Sequence, residues 1–151
     1  MKKKYAGYIN LKPLNGVIYP SSIQNIIMKN FIENSLNGIF YLSPTEILQA
    51  KYSITLKTLL SSETKVKGIV MLSSFMLGSN LKERLNFYNE AVKKKKQIYF
   101  ILDEMSFKTK KDIDKIENFI MFNTKFFTDT KKRLNNYENH FMKKFKKITF
   151  V

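Results

Sequence analysis

The sequence predicts an α/β fold: a single-domain, open parallel sheet of about four strands with helices on both faces, in three layers. Three observations carry this. Strand and helix signals alternate four times with no hairpin signal between strands, which calls for crossover connections. The run G-I-V-M-L, residues 68–72, is continuously apolar, as a strand buried on both faces must be. The chain has 151 residues, 44% of them hydrophobic, enough for one sizeable core and no second.

The elements follow in order. Y-A-G-Y-I-N-L, residues 5–11, reads as the first strand, and K-P-L-N-G after it as a loop. Ile23, Ile26, Ile27, Asn30 and Phe31 recur at helical spacing, with Ser21 or Ser22 as N-cap and Asn37-Gly38 as the stop. I-F-Y-L, residues 39–42, is the second strand, and a helical segment follows through Tyr52, Leu56, Leu59 and Leu60. Beyond the third strand and the loop S-S-F-M-L-G-S, Asn80 caps a helix carrying Leu81, Leu85, Tyr88 and Val92. That helix ends in K-K-K-K, where cations favour the negative end of the helix dipole. Q-I-Y-F-I-L, residues 97–102, is the fourth strand, and T-K-K-D at 109–112 opens a helix through Ile113, Ile116 and Ile120. The α/β domain is thus expected over residues 1–123. Residues 124–151 mix aromatics and lysines without a clean period, and read as a basic, aromatic tail that packs on the domain or on a partner subunit.

Composition removes several chemistries. Cysteine is absent, so disulfides, thiolate metal sites and a cysteine nucleophile are excluded. His140 is the only histidine, too few for a histidine triad or a multi-histidine metal site within one subunit. No apolar run reaches the roughly 18 residues a membrane span needs. The opening M-K-K-K resembles a signal-peptide start, but Asn10, Lys12, Asn15 and Gly16 interrupt the apolar region that would follow, so a cytoplasmic protein is expected.

The formal charge of +15 invites a polyanion partner. Only Arg84 and Arg133 are arginines, however, and lysine is the poorer residue for bidentate reading of guanine and phosphate. Specific nucleic-acid recognition is not expected, and a lysine-rich nucleic-acid-binding protein stands third among the functional readings. The terminal F-M-K-K-F-K-K-I-T-F-V would suit an anionic membrane or single-stranded nucleic acid through lysines beside rings; a subunit interface is the favoured reading.

In an open parallel sheet, a ligand sits outside the carboxyl ends of the strands, where loops converge. This rule selects Asn10 and Lys12 after the first strand, Ser43, Thr45 and Glu46 after the second, Ser73 and Ser74 after the third, and Asp103 and Glu104 after the fourth. Glu46 with Asp103 or Glu104 could share acid and base work, with Lys12 on an anionic group. Each also has a structural reading. Ser43-Pro44-Thr45-Glu46 satisfies the capping-box pattern, with Ser43 at N-cap, Pro44 at the first helical position and Glu46 bonding back. Ser73, Ser74, Asp103 and Glu104 can equally be loop and strand-end residues.

Two resemblances bear on these residues. The order and spacing of G-Y-I, the helix with Gln24, the helix at Leu56–Leu60, G-I-V-M-L and I-L-D-E are similar to the catalytic domain of serine recombinases, which implies a resolvase-like or flavodoxin-like three-layer fold. Asn10, Leu11 and Lys12 stand where that family has an arginine, a small apolar residue and the nucleophilic serine, so strand exchange is not implied. Residues 5 to about 120 resemble the sporadic carbohydrate cluster protein family through G-Y-I, the P-x-x-x-Q-N of Pro20, Gln24 and Asn25, L-S-x-T-E of Leu42 to Glu46, G-I-V-x-x-S-x-F-M-L of Gly68 to Leu77, and the acidic end of strand four. This implies a context of surface-polysaccharide or unusual-sugar biosynthesis. The expected ligand is then a sugar phosphate or nucleotide sugar. Lys12 would hold its anion, Gln24, Asn25 and Ser73 would orient it, Ser43 would cap, and Thr45 and Glu46 would face it. Proton-transfer chemistry such as isomerisation or epimerisation suits this set, with no metal and no cofactor; the alternative is a non-catalytic accessory that binds a partner enzyme of the same pathway, with the chain itself a possible homo-oligomer.

Overall fold

The computed structural model describes residues 2–14, 17–46, 53–61 and 63–145. Its sheet has five strands in the order β2-β1-β3-β4-β5: β1 Lys4–Ile9, β2 Ile39–Thr45, β3 Gly68–Met71, β4 Gln97–Phe100 and β5 Met105–Phe107. The β1–β2, β1–β3 and β3–β4 pairs are parallel, and β5 pairs with β4 antiparallel. The fold is therefore α/β with a mostly parallel sheet. The fifth strand is an addition to the expected four: residues 101–104 turn the chain back within one hairpin, with Glu104 at φ 51°.

β3 is buried at all four positions, as its unbroken apolar run requires. Gly68 is a close-approach glycine, since a Cβ there would strike the Gln97 carbonyl of β4. Tyr8, Ile69, Met71, Ile98, Phe100 and Phe107 from the strands, and Met28, Ile32 and Tyr88 from the helices, are essentially inaccessible and form the core. Lys96 tightens the opposite end of the sheet: its ammonium donates to the Thr64 and Val66 carbonyls at 2.7 Å each.

The helices are α1 Ser21–Asn30, prolonged by a π-helical turn at Phe31–Ser35, α2 Ile54–Leu60, α3 Leu81–Lys93 and α4 Asp112–Phe145. Asn37, at φ 46°, ends the first of these in the left-handed conformation expected of a stop. Asn80 caps α3 by accepting from the Lys82 and Glu83 amides. Asp112 opens α4, its carboxylate accepting from the Lys108 and Thr109 amides at 2.9 and 2.8 Å.

Two expectations are revised. Ser43 caps no helix: it lies inside β2, and its hydroxyl donates across the strand pair to the Gly7 carbonyl. α2 starts at Ile54, eight residues beyond Glu46, and Tyr52 lies outside the described residues. The segment from 124 is not irregular; α4 runs through it without a break to Phe145, and residues 146–151 lie outside the described set. The chain divides into two compact units, Met1–Ile116 with the sheet and Glu117–Val151 with most of α4. His140 belongs to α4, its side chain outside the described residues. No described helix is long and apolar enough to cross a membrane.

Candidate functional site

β1 ends in a polar network that begins with a buried amide. The Gln24 side chain takes both backbone groups of Asn10: its Nε2 donates to the Asn10 carbonyl at 2.8 Å, and its Oε1 accepts from the Asn10 amide at 3.2 Å. The same Nε2 donates to the Tyr19 carbonyl at 2.7 Å, so a single side chain of α1 fixes both sides of the loop that leaves β1. Asn10 passes the order on. Its Oδ1 accepts from the Lys12 amide at 2.9 Å, and its Nδ2 donates to the Tyr8 hydroxyl at 3.3 Å.

Tyr8 then donates to Glu46 Oε2 at 3.1 Å. Glu46, only 5% exposed, also accepts from the Thr55 and Leu56 amides at 3.3 and 3.4 Å. It thus supplies the cap that Ser53 does not, since Ser53 makes no side-chain cap bond. A buried carboxylate needs such donors, and here separate chain segments deliver them. Burial, and then the Glu46 carboxylate, raise the Tyr8 phenol well above its ordinary value, so it remains the donor of this pair throughout the physiological range.

A second latch sits at the ends of β3 and β4. Asp103 accepts from the Ser73 hydroxyl at 2.8 Å and from the Ser74 amide at 2.6 Å, tying the two strand ends together. Ser73 Oγ also accepts from the Phe75 amide at 3.3 Å, starting a short 3-10 turn, Ser74–Leu77. This turn carries the chain to Gly78, whose φ of 85° favours glycine, and whose carbonyl accepts from Arg84 Nη1 at 2.9 Å.

Between these supports lies a cleft of about 260 Å³ at the carboxyl edge of the sheet. It is lined by Asn10 to Leu14 except Leu11, by Glu46 and Ser53, and by Phe75 to Asn80 with Glu83. Lys12 and Glu83 are exposed, and neither forms an ion pair among the described residues. The cleft offers the Lys12 ammonium, the exposed Glu83 carboxylate and the exposed Asn80 amide, while Glu46 and Asn10 are held by the network behind it. Among the described residues no group of three or more acidic or histidine side chains could hold a metal.

Of the residues selected from sequence, Asn10, Lys12 and Glu46 come together in this cleft, and Gln24 stands behind Asn10. Ser43 is buried within β2, Thr45 is exposed opposite Ile9, and Asn25 has its Oδ1 buried with no hydrogen-bond partner. None of these three lines the cleft, nor do Ser73, Asp103 and Glu104, which belong to the β3–β4 latch and to the hairpin turn. Tyr8, Ser79, Asn80 and Glu83 fall outside the sequence-based selection. Tyr8 reads as strand core, while Asn80 and Glu83 read as a capping pair; the length of the loop after β3 is the signal that its far end, not its first two serines, reaches the sheet edge.

No family model, curated protein or solved structure matches the chain.

Proposed function

We propose that the cleft binds a small polyhydroxylated anion, a sugar phosphate, in the biosynthesis of a modified sugar for a surface glycan. The observation that carries this is the meeting of exposed Lys12, Asn80 and Glu83 in one polar cleft, backed by buried Asn10 and Glu46: an ammonium for the anion, a carboxylate and an amide for hydroxyls. The volume, about 260 Å³, lies just below the usual range for drug-sized ligands, which suits a monosaccharide phosphate better than a whole nucleotide sugar. The carbohydrate context rests on the resemblance to sporadic carbohydrate cluster proteins, and with it goes a resolvase-like or flavodoxin-like three-layer arrangement of the sheet and helices.

Binding is proposed without a reaction, and this favours the accessory reading over an isomerase or epimerase. A proton-transfer carboxylate must be able to face substrate. Glu46 accepts from Tyr8, Thr55 and Leu56, and Asp103 from Ser73 and Ser74, so both are engaged in holding the fold.

Ligand-observed NMR against monosaccharide phosphates tests the proposal, with Lys12→Met and Glu83→Gln in parallel. Both side chains are exposed, so both variants keep the fold. Loss of one charge-assisted contact, about 1.5–3 kcal/mol, weakens binding roughly tenfold or more. If the native protein binds none of them, or Lys12→Met binds as well as the native protein, the proposal is wrong.

A further inference from the structure

α4 is 34 residues long, about 51 Å, and from Met121 to Asn136 nearly every side chain is exposed. Large apolar groups lie among them: Phe122 is 69% exposed, Phe126 56%, Phe127 44% and Leu134 58%. At about 100° per residue these four fall within a sector of roughly 140°. Asn123, Thr130 and Arg133 share the sector, but four large exposed apolar side chains gathered on one helix side mark an interaction site rather than a solvated face.

The charges beside the stripe indicate what covers it. Lys131 lies about 40° beyond one edge of the sector, and Asp129, Lys125 and Lys132 lie about 20°, 60° and 80° beyond the other, all exposed; Arg133 lies within it, and Asp129 is the single acid between 121 and 136. A second copy of the chain would bring +15 against +15. A helix with aromatic and leucine side chains on one face and lysines along its borders matches a surface that is apolar beneath and anionic above.

We propose that α4 lies on an anionic lipid surface, with Phe122, Phe126, Phe127 and Leu134 inserted below the headgroups and Lys125, Lys131 and Lys132 on their phosphates. The helix rests in the interface and does not cross, being too polar to do so. Long cationic side chains at the borders keep their charges in the headgroup layer while their methylenes follow the apolar face down.

The chain has no tryptophan, so Phe126→Trp places a single fluorophore in the stripe. The full-length variant is titrated with vesicles of phosphatidylcholine alone and of phosphatidylcholine with roughly one third phosphatidylglycerol. The expected result is a blue shift on the anionic vesicles, quenching by lipids brominated in the acyl chain, and partitioning at least about tenfold stronger than on neutral vesicles. Adding Phe122→Ser and Phe127→Ser to the Phe126→Trp variant keeps the charge and alters only exposed positions, and should abolish the shift. Unchanged binding by that triple variant would show that charge alone attracts the chain, and would overturn the proposal. So would a blue shift that develops with protein concentration in the absence of lipid, the mark of helix pairing, or one produced by a single-stranded oligonucleotide and not by vesicles.

Discussion

Glu46 shows how one residue can be placed correctly at a sheet edge and still have its partners misread. Its position after β2 follows from the rule that ligands gather at carboxyl ends. The capping pattern around it, S-P-T-E, points to a helix starting at Pro44, whereas the carboxylate caps a helix that starts at Ile54. Local spacing cannot reveal this, because the donors come from Tyr8, Thr55 and Leu56, brought together only by the fold. Glu46→Gln should therefore cost about 1–3 kcal/mol in urea unfolding, since an amide group must turn at least one N–H toward a donor; a loss under about 0.5 kcal/mol would mean that the carboxylate is not integral to the fold. Tyr8 gives a prediction with a definite sign. Its folded-state pKa is raised above the unfolded value of about 10, by burial first and by Glu46 second. The stabilisation tied to the neutral phenol is complete below that unfolded value and is lost as pH rises beyond it toward the folded one. The stability advantage of the native protein over Tyr8→Phe should thus be constant from about pH 7 to pH 9 and shrink above about pH 10. An advantage that stays the same to about pH 11 would contradict this account.

Among the elements, those with a strong local signal are legible. β3 can be read from its unbroken apolar run, α3 from Asn80, and the stop before β2 from Asn37-Gly38, because each is decided by residues adjacent in sequence. β5 cannot, because residues 101–104, I-L-D-E, contain no glycine, asparagine or proline to announce a turn; Glu104 takes the left-handed conformation instead, and Asp103 anchors the turn to the Ser74 amide. α4 beyond residue 124 is hard to read for a different reason: Arg133, Thr130 and Asn123 fall among its apolar positions and blur the period. The start of α4 is testable on its own. Burial pushes the Asp112 carboxyl up, but the amides of Lys108 and Thr109, the Thr109 hydroxyl and Lys108's charge outweigh it, and its pKa lies below the ordinary aspartate value. A depressed carboxylate contributes stability above its unfolded pKa, and that contribution disappears as pH falls through the folded one. Asp112→Ala should accordingly cost about 0.5–1 kcal/mol near neutral pH, at the low end for a cap because the site is solvated. Below about pH 3 the difference should close; helix content followed by circular dichroism under urea at both pH values decides it, and an equal loss at both would assign the effect to helix propensity.

For the molecule as a whole, charge is the property that sequence states outright and structure redistributes. Twelve acidic residues against 27 basic ones leave a net charge of +15, however the side chains are arranged. The structure uses several acids for other purposes: Glu46, Asp103 and Asp112 accept from backbone amides or hydroxyls, and the Lys94–Glu90 pair, at 3.3 Å, bridges one turn of exposed helix. Net repulsion is therefore larger than a count of possible pairs suggests, and compaction brings the lysines closer than they stand in the unfolded chain. Screening relieves the compact state more than the expanded one, since the Debye length falls from about 30 Å at 0.01 M to about 3 Å at 1 M salt. Proteins with balanced charge lose surface ion pairs on screening, each worth little; here the excess of 15 positive charges makes repulsion the larger effect. The thermal midpoint should consequently rise by several degrees as sodium chloride increases from about 0.02 to 0.5 M, with most of the gain below about 0.2 M, where the screening length passes through the spacing of neighbouring surface charges. Differential scanning calorimetry across that series is the direct measurement. A midpoint that is flat or falls would mean that acid–lysine pairing stabilises the fold more than repulsion opposes it, and would require ion pairs beyond those seen on α3.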